Sequence, residues 1–200
     1  MSKFIYLISP KKINKKFFIN LDKVLSFKTV KFFQLRLKKK SKKTIINIAK
    51  KVKRITKKHN VKFLINDDYL LSLKISSDGC HMGQSDGSFE DAKKKLKNRI
   101  LGVTCHNSKK LAIKAVKNKA NYVAFGSFYK SKLKLNAIKA NLKILKWAKK
   151  NIKVPIVAIG GINNKNYKKL IKSGANYIAI SSYIWDNPKL KPEFAIKKFK

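Results

Sequence analysis

The sequence predicts a compact (β/α)8 barrel of the TIM type, a single domain over residues 1–200. Three observations predict it. Eight short apolar runs, near residues 5, 33, 64, 81, 102, 123, 157 and 178, are each followed by a helical or helix-like stretch. Residues 120–127, ANYVAFGS, are echoed by residues 175–182, ANYIAISS, 55 positions later, about two strand-helix units. Polar residues follow the runs, where such barrels keep their chemistry.

The elements follow in order. Phe4 to Ile8 is a strand stopped by Ser9-Pro10. Residues 11 to 27 are poorly patterned, and Asn20 or Asp22 is the expected cap of a short helix there. Thr29 to Leu37 is a second strand. Alternation places Gln34, Arg36 and Lys38 on one face and Phe33, Leu35 and Leu37 on the other. Three polar side chains on one face of a buried strand call for an anionic ligand or a wet edge. Ser41 caps an amphipathic helix over 42–58. Phe63-Leu64-Ile65 closes on Asn66-Asp67, and a short helix over 69–74 leads to the strand 79–82. Residues 89–96 form another short helix.

The second half continues the alternation. Strand 100–104 is followed by a helix opened by Asn107-Ser108, and strand 122–125 by a long loop with Lys130, Lys132 and Lys134. A helix over 138–149 leads to Val154–Ile159 and then Gly160-Gly161. A helix ending at Ser173-Gly174 precedes the last strand, 177–180, with Ser181-Ser182 behind it. A final helix starts at Pro192.

Charge narrows the function. Fifty Lys and Arg face nine Asp and Glu, for a formal charge of +41. Only Arg36, Arg54 and Arg99 are arginines, and the lysines run the whole length, which fits a solvated surface better than a base-reading face. Such a surface draws in phosphorylated small molecules. Six of the nine carboxylates lie between 67 and 91. Asp67 and Asp86 follow neighbouring strands and are hard ligands suited to Mg2+, while helix or turn capping is the competing role for Asp67, Asp68 and Asp86. Gly160-Gly161 and Ser181-Ser182 stand after the seventh and eighth strands, the usual phosphate site of these barrels, with ordinary turn residues as the competing role. Cys80 and Cys105 have no metal or disulfide spacing and are expected as buried thiols. No apolar run approaches the ~20 residues of a membrane span, and the expected location is the cytoplasm.

Four motifs together resemble the thiamine phosphate synthase and thiazole tautomerase family over nearly the whole chain: Gln34-x-Arg36-x-Lys38, Asn66-Asp67, Asp78-Gly79-x-His81-x-Gly83-Gln84-x-Asp86, and Ala158-Ile159-Gly160-Gly161-Ile162. The resemblance implies a transferase that joins hydroxymethylpyrimidine diphosphate to thiazole phosphate with release of diphosphate, acting on phosphorylated small molecules, with neither a specific nucleic acid nor a membrane as partner. Oligomeric state is left open. By resemblance Asp67 and Asp86 hold Mg2+. Gln34, Arg36, Lys38, Asn66 and Lys134 grip the diphosphate, with Arg36, Lys38, Asn66 and Lys134 taken as catalytic. Thr104 lines the pyrimidine pocket, and Ser131, Gly161, Ser181 and Ser182 bind the thiazole phosphate or its ring. The family's loop after the sixth strand, Gly-Pro-x-x-x-Thr-x-Thr-Lys, is altered here, with Ser127, Ser131 and Leu133 at its Pro and two Thr positions. Two other functions compete: a metal-independent thiazole tautomerase using His106, and a polyanion-binding barrel without catalysis.

Overall fold

A computed structural model of the chain describes residues 4–38, 40–130 and 139–200. Eight parallel strands close into a barrel in sequence order. They are β1 (Ile5–Ile8), β2 (Val30–Leu35), β3 (Lys62–Asn66), β4 (Gly79–Met82), β5 (Ile100–His106), β6 (Tyr122–Gly126), β7 (Ile156–Ile159) and β8 (Tyr177–Ile180). β8 returns to β1 in the register Ile5 to Ile178, so the sheet has no free edge. The helices alternate with them: α1 (Lys15–Leu25), α2 (Lys42–Lys58), α3 (Tyr69–Ile75), α4 (Phe89–Leu96), α5 (Lys109–Lys117), α6 (Leu142–Asn151) and α7 (Tyr167–Lys172). Two short helices, α8 (Ser182–Trp185) and α9 (Pro192–Ile196), follow β8.

Strands buried on both faces need two cores, which is why they read as continuous apolar runs. Outward-facing Leu7, Phe33, Leu35, Phe63 and Ile65 meet Phe17, Leu21, Ala49 and Val52 of the helices. Phe33 is fully buried, its ring 6.3 Å from Phe17 and 6.4 Å from Phe63. Truncating such a ring costs about 3–5 kcal/mol. Inside the barrel, Tyr6, Ile8, Phe32, Leu64, Tyr122, Ala124, Val157 and Ala179 form the second cluster.

Most elements stand where the pattern places them, and the caps explain why. The side chains of Ser41, Asp68, Ser88 and Ser108 each accept a backbone N–H in the first turn of α2, α3, α4 and α5. Two differences are instructive. α1 is longer than expected and is capped by Asn14, not by Asn20 or Asp22: Asn14 Oδ1 accepts from Phe17 N at 2.9 Å. Its stripe, Phe17, Leu21, Val24 and Leu25, has ordinary helical spacing that flanking lysines obscure. β2 ends at Leu35, so Arg36 and Lys38 lie beyond the ladder, on the loop at its C-terminal end.

The internal echo marks a structural device at the opposite end of the barrel. Asn121, just before β6, accepts Leu101 N at 2.9 Å and donates its own N–H to Leu101 O at 2.7 Å. Asn176, before β8, does the same to Ile156, with both bonds at 2.8 Å. Asp78, before β4, accepts Phe63 N at 2.9 Å and donates to Phe63 O at 2.8 Å. Each clamps the start of an even strand to its odd predecessor.

Candidate active site

At the C-terminal ends of β2, β3 and β4, cationic and anionic side chains converge. Asp67 follows β3 directly with φ +67, a left-handed conformation that Asp tolerates better than most residues. Its N–H donates to His81 O at 2.7 Å, which fixes the carboxylate over the mouth. There it lies within hydrogen-bonding reach of the Asp86 carboxylate. Burial and then the Asp86 charge push the Asp67 carboxyl above its ordinary range, and Lys38 pulls it down. Lys38 Nζ is 3.4 Å from Asp67 Oδ2. Arg36 is well buried for a guanidinium. Desolvation lowers its pKa from the ordinary value and the nearby Asp67 charge opposes this. Its backbone N–H is held by Ser9 Oγ at 2.9 Å.

Asp86 has two roles. Oδ2 accepts Gly83 N at 2.6 Å, closing the turn after β4, while the carboxylate still faces Asp67. Asp68 is the capping residue of the pair that the sequence left open, accepting from Leu71 N at 2.8 Å. Two carboxylates facing one another from separate strands, one held against its preference for ionisation, are a donor set that fits a hard divalent cation. No three His, Cys, Asp or Glu side chains cluster as a metal site among the described residues, so water and substrate phosphates would complete the shell of such an ion.

Gln34 is buried inside the barrel, its Nε2 donating to Tyr6 Oη at 3.0 Å. Asn66 is the last residue of β3, beside Asp67. Thr104, half-buried on β5, has its Oγ1 2.8 Å from His81 Nε2, and its carbonyl accepts from Gln84 Nε2. Across the mouth, Gly160 and Gly161 have φ +108 and +60. A Cβ on Gly161 would come within 2.3 Å of the Lys130 carbonyl oxygen, and one on Gly160 within 2.0 Å of Ser127 Oγ. The loop after β6 therefore packs directly on the two glycines, and Ser127 fills the place of the family's proline. Ser181 is tied into the frame: its hydroxyl donates to Ser9 O at 3.1 Å, joining the end of β8 to the end of β1. Ser182 begins α8. His106 ends β5 with φ +51, after a register shift between Thr104 and His106, so it belongs to the strand and not to the loop behind it. Ser131 and Lys134 lie outside the described residues, as do Lys132 and Leu133.

Residues 5–184 match the family described as thiamine monophosphate synthase. The chain belongs to the thiamine monophosphate synthase family. It is 55% identical over 199 residues to the thiamine-phosphate synthase of Pelagibacter ubique, covering 99% of this chain and 96% of that protein. It is 36% identical to the thiamine-phosphate synthase of Methanobrevibacter smithii, covering 98% and 95%. Among solved structures, the thiamine phosphate pyrophosphorylase from Pyrococcus furiosus superposes with a TM-score of 0.88 at 25% identity, covering 98% of this chain and 93% of that one.

Sequence reasoning missed the interior partners of this site. Tyr6 and Tyr122 lie in apolar runs and looked like ordinary core, yet their hydroxyls meet at 2.8 Å, and Tyr122 Oη lies 2.8 Å from His81 Nδ1. No spacing signal joins residues 116 positions apart. The thiols are the inert fillers expected: both are buried, and burial pushes the Cys105 pKa up to about 12. No helix among the described residues is long and apolar enough to cross a membrane.

Proposed function

We propose that this chain is a thiamine phosphate synthase that uses Arg36, Lys38, Asn66, Asp67 and Asp86 to activate a diphosphate leaving group. The observation that carries the reading is the convergence of Arg36, Lys38 and the Asp67–Asp86 pair at the ends of β2, β3 and β4. In the reaction, the carbon–oxygen bond between the pyrimidine methylene and the diphosphate breaks, and the electron pair leaves on the diphosphate. The thiazole nitrogen then forms a carbon–nitrogen bond to the methylene. The barrier is dominated by charge building on the departing oxygens, so fixed cations aimed there are the main lever.

Arg36 supplies that charge. Its backbone is anchored through Ser9 and its guanidinium is largely desolvated, so its field acts in a low-dielectric setting. Lys38 balances Asp67 before substrate binds and is free to turn to an incoming phosphate. Asp67 and Asp86 would hold Mg2+, which when bound neutralises phosphate charge as a Lewis acid. Gly160 and Gly161 allow a phosphate close approach to backbone N–H groups at the far side of the mouth. Ser131 and Lys134 would complete the substrate contacts from the loop after β6.

A metal-independent tautomerase would have no use for the Asp67–Asp86 pair, which favours the synthase reaction. The test is formation of thiamine phosphate from hydroxymethylpyrimidine diphosphate and thiazole phosphate with Mg2+, with and without EDTA. Product that disappears in EDTA supports the reading. No product from folded protein, or product unaffected by EDTA, overturns it.

A further inference from the structure

Beneath the mouth, five side chains from five strands form a continuous hydrogen-bonded chain across the barrel. Gln34 Nε2 donates to Tyr6 Oη at 3.0 Å. Tyr6 Oη meets Tyr122 Oη at 2.8 Å, Tyr122 Oη meets His81 Nδ1 at 2.8 Å, and His81 Nε2 meets Thr104 Oγ1 at 2.8 Å. Gln34, Tyr6, Tyr122 and His81 are all at least nine-tenths buried, while Thr104 is half-exposed at the mouth.

One direction gives every buried hydrogen of the chain a partner. The Gln34 amide nitrogen donates to Tyr6, and Tyr6 keeps its own hydrogen paired by passing it to Tyr122. Tyr122, already accepting, passes its hydrogen to His81 Nδ1. A ring nitrogen that accepts carries no proton, so the remaining hydrogen sits on Nε2 and is donated to Thr104. Thr104 then has its hydroxyl hydrogen left to offer at the mouth. Burial raises the pKa of both phenols well above the ordinary tyrosine range, so each keeps the single hydrogen the relay needs.

The backbone makes room for this arrangement. A Cβ on Gly102 would fall 1.9 Å from Tyr122 Cζ and 2.2 Å from its hydroxyl oxygen. Glycine there opens the slot through which the phenol reaches the barrel axis. The ring stacks on His81 at 5.6 Å and 14°, and meets Tyr6 edge-on at 5.7 Å.

We infer that Tyr122 is a positioning residue: it holds His81 as the neutral Nε2–H tautomer, so that Thr104 presents a hydrogen-bond donor to an acceptor nitrogen of the pyrimidine ring. The naming of the ring nitrogen rests on the function proposed above. The hydrogen-bond direction does not.

The experiment has two arms. Nitrogen-15 NMR of the three histidine rings, with His81 assigned by its loss in His81→Asn, is expected to show His81 protonated at Nε2 and bare at Nδ1 in the wild type. Protonation at Nδ1 overturns the inference whatever the variants do. Tyr122→Phe keeps the ring and removes only the hydroxyl. It is expected to let His81 exchange between tautomers and to raise KM for the pyrimidine diphosphate about three- to tenfold, with kcat and KM for thiazole phosphate nearly unchanged. Thr104→Val should raise the same KM, and adding Tyr122→Phe to it should cost nothing more, because both break one chain. Tyr6→Phe, one link further away, should give a smaller rise. Additive effects of Tyr122→Phe and Thr104→Val, or an unchanged His81 tautomer in Tyr122→Phe, overturn the positioning role. If the wild type shows Nε2–H but forms no thiamine phosphate, the direction of the chain stands and only the proposed reaction fails.

Discussion

The two ends of the barrel use carboxylates and amides in opposite ways. At the N-terminal end, Asp78, Asn121 and Asn176 spend their oxygens on backbone N–H groups of the neighbouring strand. Asp78 also receives Lys62 Nζ at 2.9 Å. At the C-terminal end, Asp67 faces Asp86, and its carboxyl is pushed upward by burial and by that neighbour. A satisfied carboxylate stabilises the fold. One that faces a like charge, offset only in part by Lys38 at 3.4 Å, costs stability until a further cation arrives. Residue type alone does not separate the two ends, but the identity of the partner does.

The largest effect should come from the catalytic end. Asp67→Asn is expected to lower kcat about a hundredfold or more, with Tm in EDTA equal to or above the wild type, because the substitution relieves repulsion. A variant that lost stability along with activity would place Asp67 with the clamps. Next, Asp78→Ala should cost about 2–3 kcal/mol in urea unfolding, since it strands the Phe63 N–H and frees Lys62. Its kcat per folded molecule should stay near wild type. Asn176→Ala breaks one clamp without a charged partner and should cost about 1–2 kcal/mol, again with turnover preserved.

The smallest effect is in pH. Because the folded pKa of Asp67 lies above its unfolded value of about 3.9, its contribution to stability is fully present below that value. It is lost as pH rises through the folded pKa. In EDTA the wild type should therefore lose urea stability relative to Asp67→Asn as pH climbs from about 4 toward neutrality. Saturating Mg2+ should restore that stability at neutral pH in the wild type but not in Asp67→Asn. A pH-independent difference would mean that Asp67 is not held against its ionisation.

Much of the fold was legible because local rules and global architecture agree. Short double-faced apolar runs gave the strands. Ser41 and Asn107-Ser108 announced two helices, and the echo at residues 120 and 175 pointed to repeated units. α1 was harder because Asn14 sits among lysines that blur its stripe. α8 was invisible because four residues carry too little periodicity to detect. In the site, Asp67 and Asp86 were visible as charges at strand ends, and Arg36 and Lys38 as charges on one face of the second strand. The bond of the Ser181 hydroxyl to Ser9, 172 residues away, is one that no local pattern encodes.

By itself the chain determined where the eight strands fall, where most of the helices fall and which polar groups stand near strand ends, because these depend on spacing within one segment. Tertiary structure alone decided that Asp67 faces Asp86, that Asp78 clamps β4 to β3, and that Gly102 admits Tyr122 to a chain ending at Thr104. Those outcomes depend on the stagger between strands when the sheet closes. Closure brings distant residues within 3 Å of one another through a register that no single segment contains.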